Sequence, residues 1–314
     1  QPSGVVTPSS DAMEQESPHN DENAVALVAK VISDDTLLAV ETEGQWQRLG
    51  KDAEVGVQQP LVVAPGFQAK LAIPAAEITL VGPSSAMLLS DDAGGLGLRL
   101  NFGRMLVSVR TPESSDAESS DAESSDAESS DAESPQSSSA ETSEPSVQVQ
   151  IGEEKCSLRL ASSDTVAAIE LIYTREAGRD PLLAGNHVAT CHLIAVNGSV
   201  TAEIGGHSIA IESAHQWTQV GGGEPRLEPL EAAPDWALEV VPDADVLATT
   251  ARQDLLAMLE DASSLEIGLR ELLAFRRSEV ADLAARTLLV LGKSDVYFGG
   301  AGVFSDPKQR AYWP

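Results

Sequence analysis

Histidines are the side chains of this sequence whose proton and metal chemistry is best suited to neutral pH. His187 and His192 lie five positions apart in a stretch that alternates like a β-strand, so their side chains should project from opposite faces. They therefore cannot hold one metal ion together. His207 and His215 flank another expected strand and could meet across a hairpin. We interpret all four as surface or half-buried sheet residues and predict no metal ligand among them.

Two pairs of neighbouring aspartates offer the oxygen ligands that calcium prefers. They are Asp34 with Asp35, and Asp91 with Asp92. The spacing of an EF-hand loop is absent from the sequence, and aspartate is also common in turns because its side chain bonds the local backbone. The pairs are interpreted as turns, with calcium binding as the alternative, and no cofactor is predicted.

The sequence offers one segment that resembles a phosphate-binding loop, at Leu291, Gly292, Lys293 and Ser294. That motif requires a glycine five positions before Gly292, where Thr287 stands, and it should follow a strand instead of a helix. Common zinc-protease and serine-hydrolase motifs do not occur. We predict no catalytic residue and no enzyme activity. A hydrolase assembled from distant residues would need a polar cleft containing a histidine or carboxylate with a perturbed pKa.

The chain has two cysteines, Cys156 and Cys191, and both fall in expected strands. One interpretation is that they are small buried hydrophobic residues. The alternative is a disulfide across the sheet, which requires an oxidising compartment.

Charge limits the classes of partner. The 314 residues carry a formal net charge of -29, and residues 111–146 contain eleven carboxylates without a lysine or arginine. Nucleic acids and anionic membrane surfaces are bound by clustered basic residues. The composition therefore argues against nucleic acid, and no run of apolar residues is long enough to span a bilayer.

The acidic segment is a repeat of Glu-Ser-Ser-Asp-Ala that runs over residues 113–134. Residues 103–110 before it and 146–151 after it both alternate like strands. We therefore predict a disordered acidic insert, residues 111–146, within a hairpin of one β-domain. On that interpretation a short turn could replace the insert without loss of stability.

Short alternating segments separated by turn residues indicate a mainly β, antiparallel domain. We predict a disordered segment over residues 1–23, the β-domain over 24–241 and an α-helical segment over 242–314. The helical segment shows a capping-box pattern at Ser263 to Glu266, an N-cap at Ser278 and a terminal Gly292, and it is similar to the start of a HEAT-type repeat. Because the sequence begins at Gln1 and its final residues resemble a helix start at Asp306, we interpret it as part of a longer protein.

The β-rich part resembles the FecR family, the extracytoplasmic domain of bacterial membrane-linked signalling proteins. The resemblance is carried by turns and apolar spacings in residues 49–50, 54–56, 61–63, 67–73, 77–85 and 98–107. It implies a β-rich fold in the periplasm or elsewhere outside the cytoplasm, held at the membrane by a helix outside these residues. The family's anti-sigma segment and membrane helix have no counterpart in the sequence, so iron regulation is not implied.

The resemblance implies a non-enzymatic signalling or interaction module of the cell envelope that binds a protein. The expected contact surfaces are the sheet edges or a helical face near Phe275 and Trp313. The alternative is a carbohydrate-binding or wall-binding module, which would be favoured if Trp46, Trp217 and Trp236 were exposed on one face. Asn197 to Ser199 fits a glycosylation sequon, but its Asn-Gly pair is more typical of a hairpin turn.

Overall fold

The computed structural model describes residues 28–90, 95–110, 146–175, 187–238, 246–260, 262 and 264–292, and it is mainly β as predicted. The predicted disorder of residues 1–23 and of 111–145 lies outside these residues, as do Asp91, Asp92 and Trp313. Ser146, the last residue of the predicted disordered insert, instead begins a strand. The strands are β1 (Val28–Val31), β2 (Leu38–Thr42), β3 (Gln45–Leu49), β4 (Glu54–Gly56), β5 (Pro60–Val63), β6 (Gln68–Ala72), β7 (Ala76–Ser90), β8 (Leu96–Val109), β9 (Ser146–Ile151), β10 (Glu154–Leu160), β11 (Val166–Arg175), β12 (His187–Asn197), β13 (Val200–Ile204), β14 (His207–Ile211), β15 (His215–Val220) and β16 (Arg226–Pro229). A 3₁₀ helix (Asp235–Ala237) and the helices α1 (Val246–Leu259), α2 (Leu265–Leu272) and α3 (Ser278–Gly292) follow.

The strand pairings form two layers. Layer I has the order β4–β1–β6–β7–β8–β11–β12–β15–β16, and layer II has the order β3–β2–β5–β7–β8–β9–β10–β13–β14. Strands β7 and β8 belong to both layers. Every described pairing is antiparallel except that of β8 with β9. The inward residues of both layers form one contiguous core of mainly Val, Leu, Ile and Ala side chains.

Strand β7 corrects one expectation from the sequence, since Gly82 and Pro83 do not end it. The strand continues to Ser90, with a cis Gly82–Pro83 peptide bond at the point where it moves from layer I to layer II. Strand β8 makes the matching move at Gly103, which has a φ of +97°. A Cβ at Gly82 would lie 1.9 Å from the Ala64 carbonyl oxygen, so the crossing requires glycine.

The strands that flank the acidic segment do not form the predicted hairpin. Leu98 pairs with Val149 and Leu100 with Ile151 in parallel register, so β9 lies beside the beginning of β8. Parallel neighbours need a connection that returns along the whole strand, whereas a hairpin turn joins only antiparallel ones. The acidic segment is therefore a crossover between two layers.

A second expected hairpin, at Asn197 and Gly198, is also absent. Strand β12 pairs with β11 and β15 in layer I, whereas β13 pairs with β10 and β14 in layer II. The Asn197 amide donates to the Asp164 carbonyl at 2.9 Å, and Gly198 has a φ of +71°. The chain passes here from layer I to layer II. The turn contacts the loop that contains Asp164, and β12 and β13 do not pair with each other.

The predicted C-terminal helices are present and pack on the β-layers. Buried leucines of all three helices, including Leu255, Leu269 and Leu288, belong to the same core cluster as the inward strand residues. The Arg48 guanidinium donates to the Leu256 carbonyl at 3.4 Å, and the Arg252 guanidinium donates to the Gly66 carbonyl at 3.0 Å. The N-cap of α2 is Ser264, whose hydroxyl accepts from the Ile267 amide, so the predicted capping pattern is one residue out of position. Within the described ranges, no helix has both the length and the apolar character needed to cross a membrane.

Candidate functional site

A row of polar residues crosses the outer face of layer I. We define the polar row as Arg104, Glu170, His192, Thr218 and Arg226, contributed by β8, β11, β12, β15 and β16. Each member is directly opposite the next in the strand register. Directly opposed residues project from the same face of a sheet. Each of the first four members has a neighbour along its strand that is buried in the core, namely Met105, Ile169, Leu193 and Trp217, so the row faces outward.

Two charged members of the row, Arg104 and Glu170, neutralise each other beside an aromatic ring. Arg104 Nε lies 2.6 Å from Glu170 Oε1, and the Glu170 side chain is only 13% exposed. The Arg104 guanidinium carbon lies 5.2 Å from the centroid of the Trp236 ring, which is cation–π geometry. A charge as buried as that of Glu170 needs such a partner, because desolvation would otherwise be costly. The ion pair and the ring hold each other in a fixed arrangement.

His192 occupies the centre of the row and is held by hydrogen bonds. The Gln216 amide nitrogen donates to His192 Nδ1 at 2.8 Å, and Thr218 Oγ1 lies 3.0 Å from the same nitrogen. Burial lowers the pKa of His192, and the Glu170 carboxylate opposes part of that effect. The imidazole is therefore neutral at physiological pH, and Nδ1 acts as an acceptor.

A histidine with a perturbed pKa beside a hydroxyl and a carboxylate resembles part of a hydrolase site, but the hydrogen bonds differ. A base that activates a hydroxyl needs its nitrogen free to take the proton, and a carboxylate oriented on the other ring nitrogen. Here the Gln216 amide shares Nδ1 with Thr218 and also donates to Thr218 Oγ1 at 2.7 Å. The Glu170 carboxylate is bonded to Arg104. The arrangement satisfies polar groups on a sheet face and does not activate Thr218.

A cleft of about 630 Å³ adjoins the polar row. We call it the Trp236 cleft; its floor includes Phe67 and Leu256, which are buried, and its rim carries both acidic and basic groups. The charged and aromatic residues that line it are Asp34, Asp35, Phe67, Lys70, Asp235, Trp236 and Arg252. Val81 lines the cleft and is directly opposite Arg104 in the register, so cleft and row form one continuous surface.

The aspartates near this cleft behave as turn residues. Asp34 accepts a hydrogen bond from Lys51 Nζ at 2.9 Å, and Asp35 has a φ of 47°, which is turn geometry. Within the described residues, no group of three or more His, Cys, Asp and Glu side chains could hold a metal ion. Calcium binding therefore has no support from Asp34 and Asp35.

The three tryptophans do not form one exposed surface. Trp46 and Trp217 are 6% and 4% exposed, and both belong to the core. Trp236 is half-buried against the outer face of layer I. The aromatic platform that would favour a carbohydrate-binding module is not assembled from these residues.

The other residues singled out from the sequence lie apart from the polar row. His187 lies at the start of β12, and His207 is exposed on the edge strand β14. His215 Nδ1 donates to the Ser213 carbonyl at 3.1 Å. Cys156 is buried and Cys191 is half-buried, and both are thiols. The sequence pointed to His192 and Trp236 individually, but only the strand register shows that they share a surface with Arg104 and Glu170.

The outer edge of β16 is poorly suited to adding another strand. The Leu230 amide donates to the Ala214 carbonyl, so the amides of residues 226, 228 and 230 point toward β15. The backbone nitrogens of residues 225, 227 and 229 point away from β15. Two of these residues, Pro225 and Pro229, have no N–H to donate. Proline in this position blocks edge pairing. Leu227 alone offers an outward donor among these three.

The other candidate contact surfaces differ in accessibility. Strand β3 forms the opposite edge of layer II, and α2 packs against it. Phe275 lies just beyond α2 and is 36% exposed. The expected helical face near Phe275 is therefore accessible, and α2 contacts β3 at one edge of layer II.

Comparison of the chain with protein-family models, curated proteins and solved structures finds no match.

Proposed function

We propose that this chain is a non-enzymatic interaction module of the bacterial cell envelope, located outside the cytoplasm, which binds a protein partner through the outer face of layer I. The FecR resemblance supports the location and the class. The acidic composition supports a protein partner over nucleic acid. The expected surfaces were sheet edges or the helical face, and the outer face of layer I is now preferred to both.

The observation that carries this proposal is the stacking of Trp236 on Arg104 where the Trp236 cleft meets the polar row. Tryptophan and arginine are the residues most often responsible for binding energy at protein interfaces. Glu170 already holds the Arg104 guanidinium, so little side-chain freedom is lost on binding. A half-buried ring next to a cleft offers both an apolar anchor and a polar rim.

The partner can be identified by photo-crosslinking in intact envelopes. A photoreactive amino acid at Thr249, which lines the Trp236 cleft, should link to the partner. The same amino acid at Ser208, exposed on β14, is the matched control and should not. The linked protein is then purified for affinity measurements.

Trp236→Ala and Arg104→Lys should each weaken binding of that partner by about tenfold or more, because each removes the stacked pair. Phe275→Ala should leave the affinity unchanged. A result in which Phe275→Ala weakens binding and Trp236→Ala does not would move the contact to the helical face. If no protein is linked and Trp236→Ala abolishes binding to isolated cell-wall polysaccharide, the carbohydrate alternative replaces this proposal.

A further inference from the structure

Strand β14 is the last strand of layer II, and within the described residues no strand pairs with its outer side. The two-residue turn 205–206, with φ of +57° and +80°, joins it to β13. The residues that flank such a turn, Ile204 and His207, exchange backbone hydrogen bonds, and bonded and non-bonded pairs then alternate along the ladder. The N–H and C=O groups of Ser208 and Ala210 therefore point away from β13.

This edge lacks the features that protect the other edges of the sheet. The sequence of β14 is His-Ser-Ile-Ala-Ile, without a proline, a lysine, an arginine or a carboxylate. By contrast, Pro225 and Pro229 interrupt the outer side of β16, α2 contacts β3, and β4 has only three residues. An unprotected row of backbone donors and acceptors is a template on which an extended chain can pair.

A strand added to β14 would also cover apolar surface on the inner side of the sandwich. Strands β14 and β16 end their layers on the same side of β8. Leu227 of β16 is directly opposite the core residue Trp217, so its side chain faces layer II, yet it is 50% exposed. Ile209 of β14, which is opposite the buried Ala202, is only partly buried against the core. An apolar side chain placed beside Leu227 and Ile209 would remove all three from water.

The surroundings of the edge are acidic. Residues 198–232, which contain β13 to β16, carry five glutamates and one arginine: Glu203, Glu212, Glu224, Glu228, Glu231 and Arg226. The formal net charge of the whole chain, -29, adds a long-range field of the same sign. Such a field attracts a basic ligand and repels an acidic one, including a second copy of this chain.

We propose that the β14 edge binds an extended segment of a second protein by antiparallel strand addition. Apolar side chains at alternate positions of the segment face Leu227 and Ile209. Basic side chains at the intervening positions lie beside Ser208 and Ala210, which are small and exposed and leave room for them. The site is separate from the Trp236 cleft on layer I, and its ligand is a different protein.

A capped synthetic peptide of about seven residues, in which lysine and valine alternate, tests this edge with the purified full chain. Fluorescence anisotropy should detect binding, and a peptide with glutamate in place of lysine should bind at least about tenfold more weakly. Ala210→Pro removes one outward N–H without breaking the ladder to β13, so it should weaken binding of the lysine peptide at least about tenfold. Ala210→Thr keeps that N–H and is the matched control.

Proline also restricts the backbone, so N-methylated peptides supply a second arm with the unchanged chain. In the antiparallel pairing, the lysine N–H groups of the peptide point toward β14. Methylation of these amides should abolish binding, whereas methylation of the valine amides should preserve it. Equal binding of the two methylated peptides, or equal affinities of Ala210→Pro and Ala210→Thr, would overturn the strand addition.

Two further measurements separate this site from the other possible occupants and surfaces. Trp236→Ala should leave the peptide affinity unchanged, so this proposal and the one for the Trp236 cleft can fail independently. A purified chain that is dimeric by light scattering and becomes monomeric on Ala210→Pro would assign the edge to a second copy, and would overturn the proposal.

Discussion

At the residue scale, the polar row shows how a sheet face can hold charge without exposing it. Glu170 lies between Arg104 and His192, and each of these neighbours is tied to a further group: Trp236 in one direction, Gln216 and Thr218 in the other. The first four members of the row are each held by such contacts, and a rigid polar surface favours specificity in binding. Its most sensitive member is His192, because protonation would require Nδ1 to stop accepting hydrogen bonds.

His192 should make the stability of the protein depend on pH. Its pKa is lowered in the folded state, so the unfolded chain binds the proton more readily. The stabilising contribution is complete above the unfolded pKa of about 6.5 and is lost as the pH falls through the folded pKa. His192→Gln should therefore flatten the decline in unfolding free energy between about pH 7.5 and about pH 5.5, measured by urea denaturation.

His207→Gln, on the exposed strand β14, is the control for this pH dependence and should change it less. Equal pH slopes for wild type and His192→Gln would show that the imidazole is not desolvated. Glutamine retains the capacity to bond Gln216 and Thr218, which separates loss of titration from loss of packing.

Single residues were partly predictable from the sequence. The alternation of strand residues placed His192 in a strand, and the preference of aspartate for turns identified Asp34 and Asp35 as turn residues. The register that aligns Glu170 with His192 and Arg104 is set by residues distant in sequence, so no local pattern reveals it. The burial of Trp46 was equally hidden, because the core cluster it joins includes helix residues that follow it by some 200 positions.

At the element scale, β7 and β8 are the strands on which the architecture depends. Each contributes one half to layer I and the other half to layer II, and each changes layer at a glycine. The sequence indicated two strands separated by a turn at Gly82, because a Gly-Pro pair is a common turn signal. The alternation of side chains identified both halves of β7 correctly. It could not show that the strand continues through Gly82 and Pro83.

Gly103→Ala should strongly destabilise the fold. A Cβ at this position would lie 2.5 Å from the Pro83 carbonyl oxygen and 2.6 Å from Ser84 Cα, and the φ of +97° disfavours any side chain. The expected loss is more than about 3 kcal/mol of unfolding free energy, measured by urea denaturation. Gly50→Ala is the control, since nothing lies within 4 Å of its Cβ position. Comparable losses for both variants would contradict close packing at the layer crossing.

The prolines that flank Leu227 should keep the molecule from pairing edge to edge. Pro225→Thr with Pro229→Thr would restore two outward N–H groups and introduce a residue favoured in strands. We expect dimers or larger species in size-exclusion chromatography with light scattering. Addition of Leu227→Lys should return the chain to its original size, and Pro234→Thr, away from this edge, should have no effect. A doubly substituted chain that keeps the wild-type size would show that the prolines do not control association.

At the scale of the whole molecule, the acidic segment connects the two layers and is not a hairpin loop within one of them. Strand β8 ends in layer I, and β9 starts in layer II beside the first half of β8. The sequence showed matched strands on either side but not their relative direction, because alternation is the same in parallel and antiparallel strands. A hairpin was therefore a reasonable expectation that only the three-dimensional register could correct.

The stability of the fold should depend on the length of this crossover. A hairpin between the flanking strands would instead tolerate a short turn. From Leu98 to Arg110 the strand covers up to about 40 Å, whereas a four-residue link spans at most about 14 Å. Replacement of residues 111–145 by four residues should abolish cooperative unfolding. A Gly/Ser link of about 20 residues should keep the melting temperature within about 3 °C of wild type, because loop entropy changes slowly with length. A fully stable four-residue variant would contradict the parallel pairing of β8 with β9.

The sharing of β8 has a consequence for the integrity of the chain. In each layer β8 is flanked by strands on both sides: β7 and β11 in layer I, β7 and β9 in layer II. A protease that cut between Arg110 and Ser146 would therefore nick the protein without separating its halves. The two pieces would stay associated, because β8 of the first piece pairs with both β9 and β11 of the second. The pair would therefore behave as a split protein whose fragments reassemble.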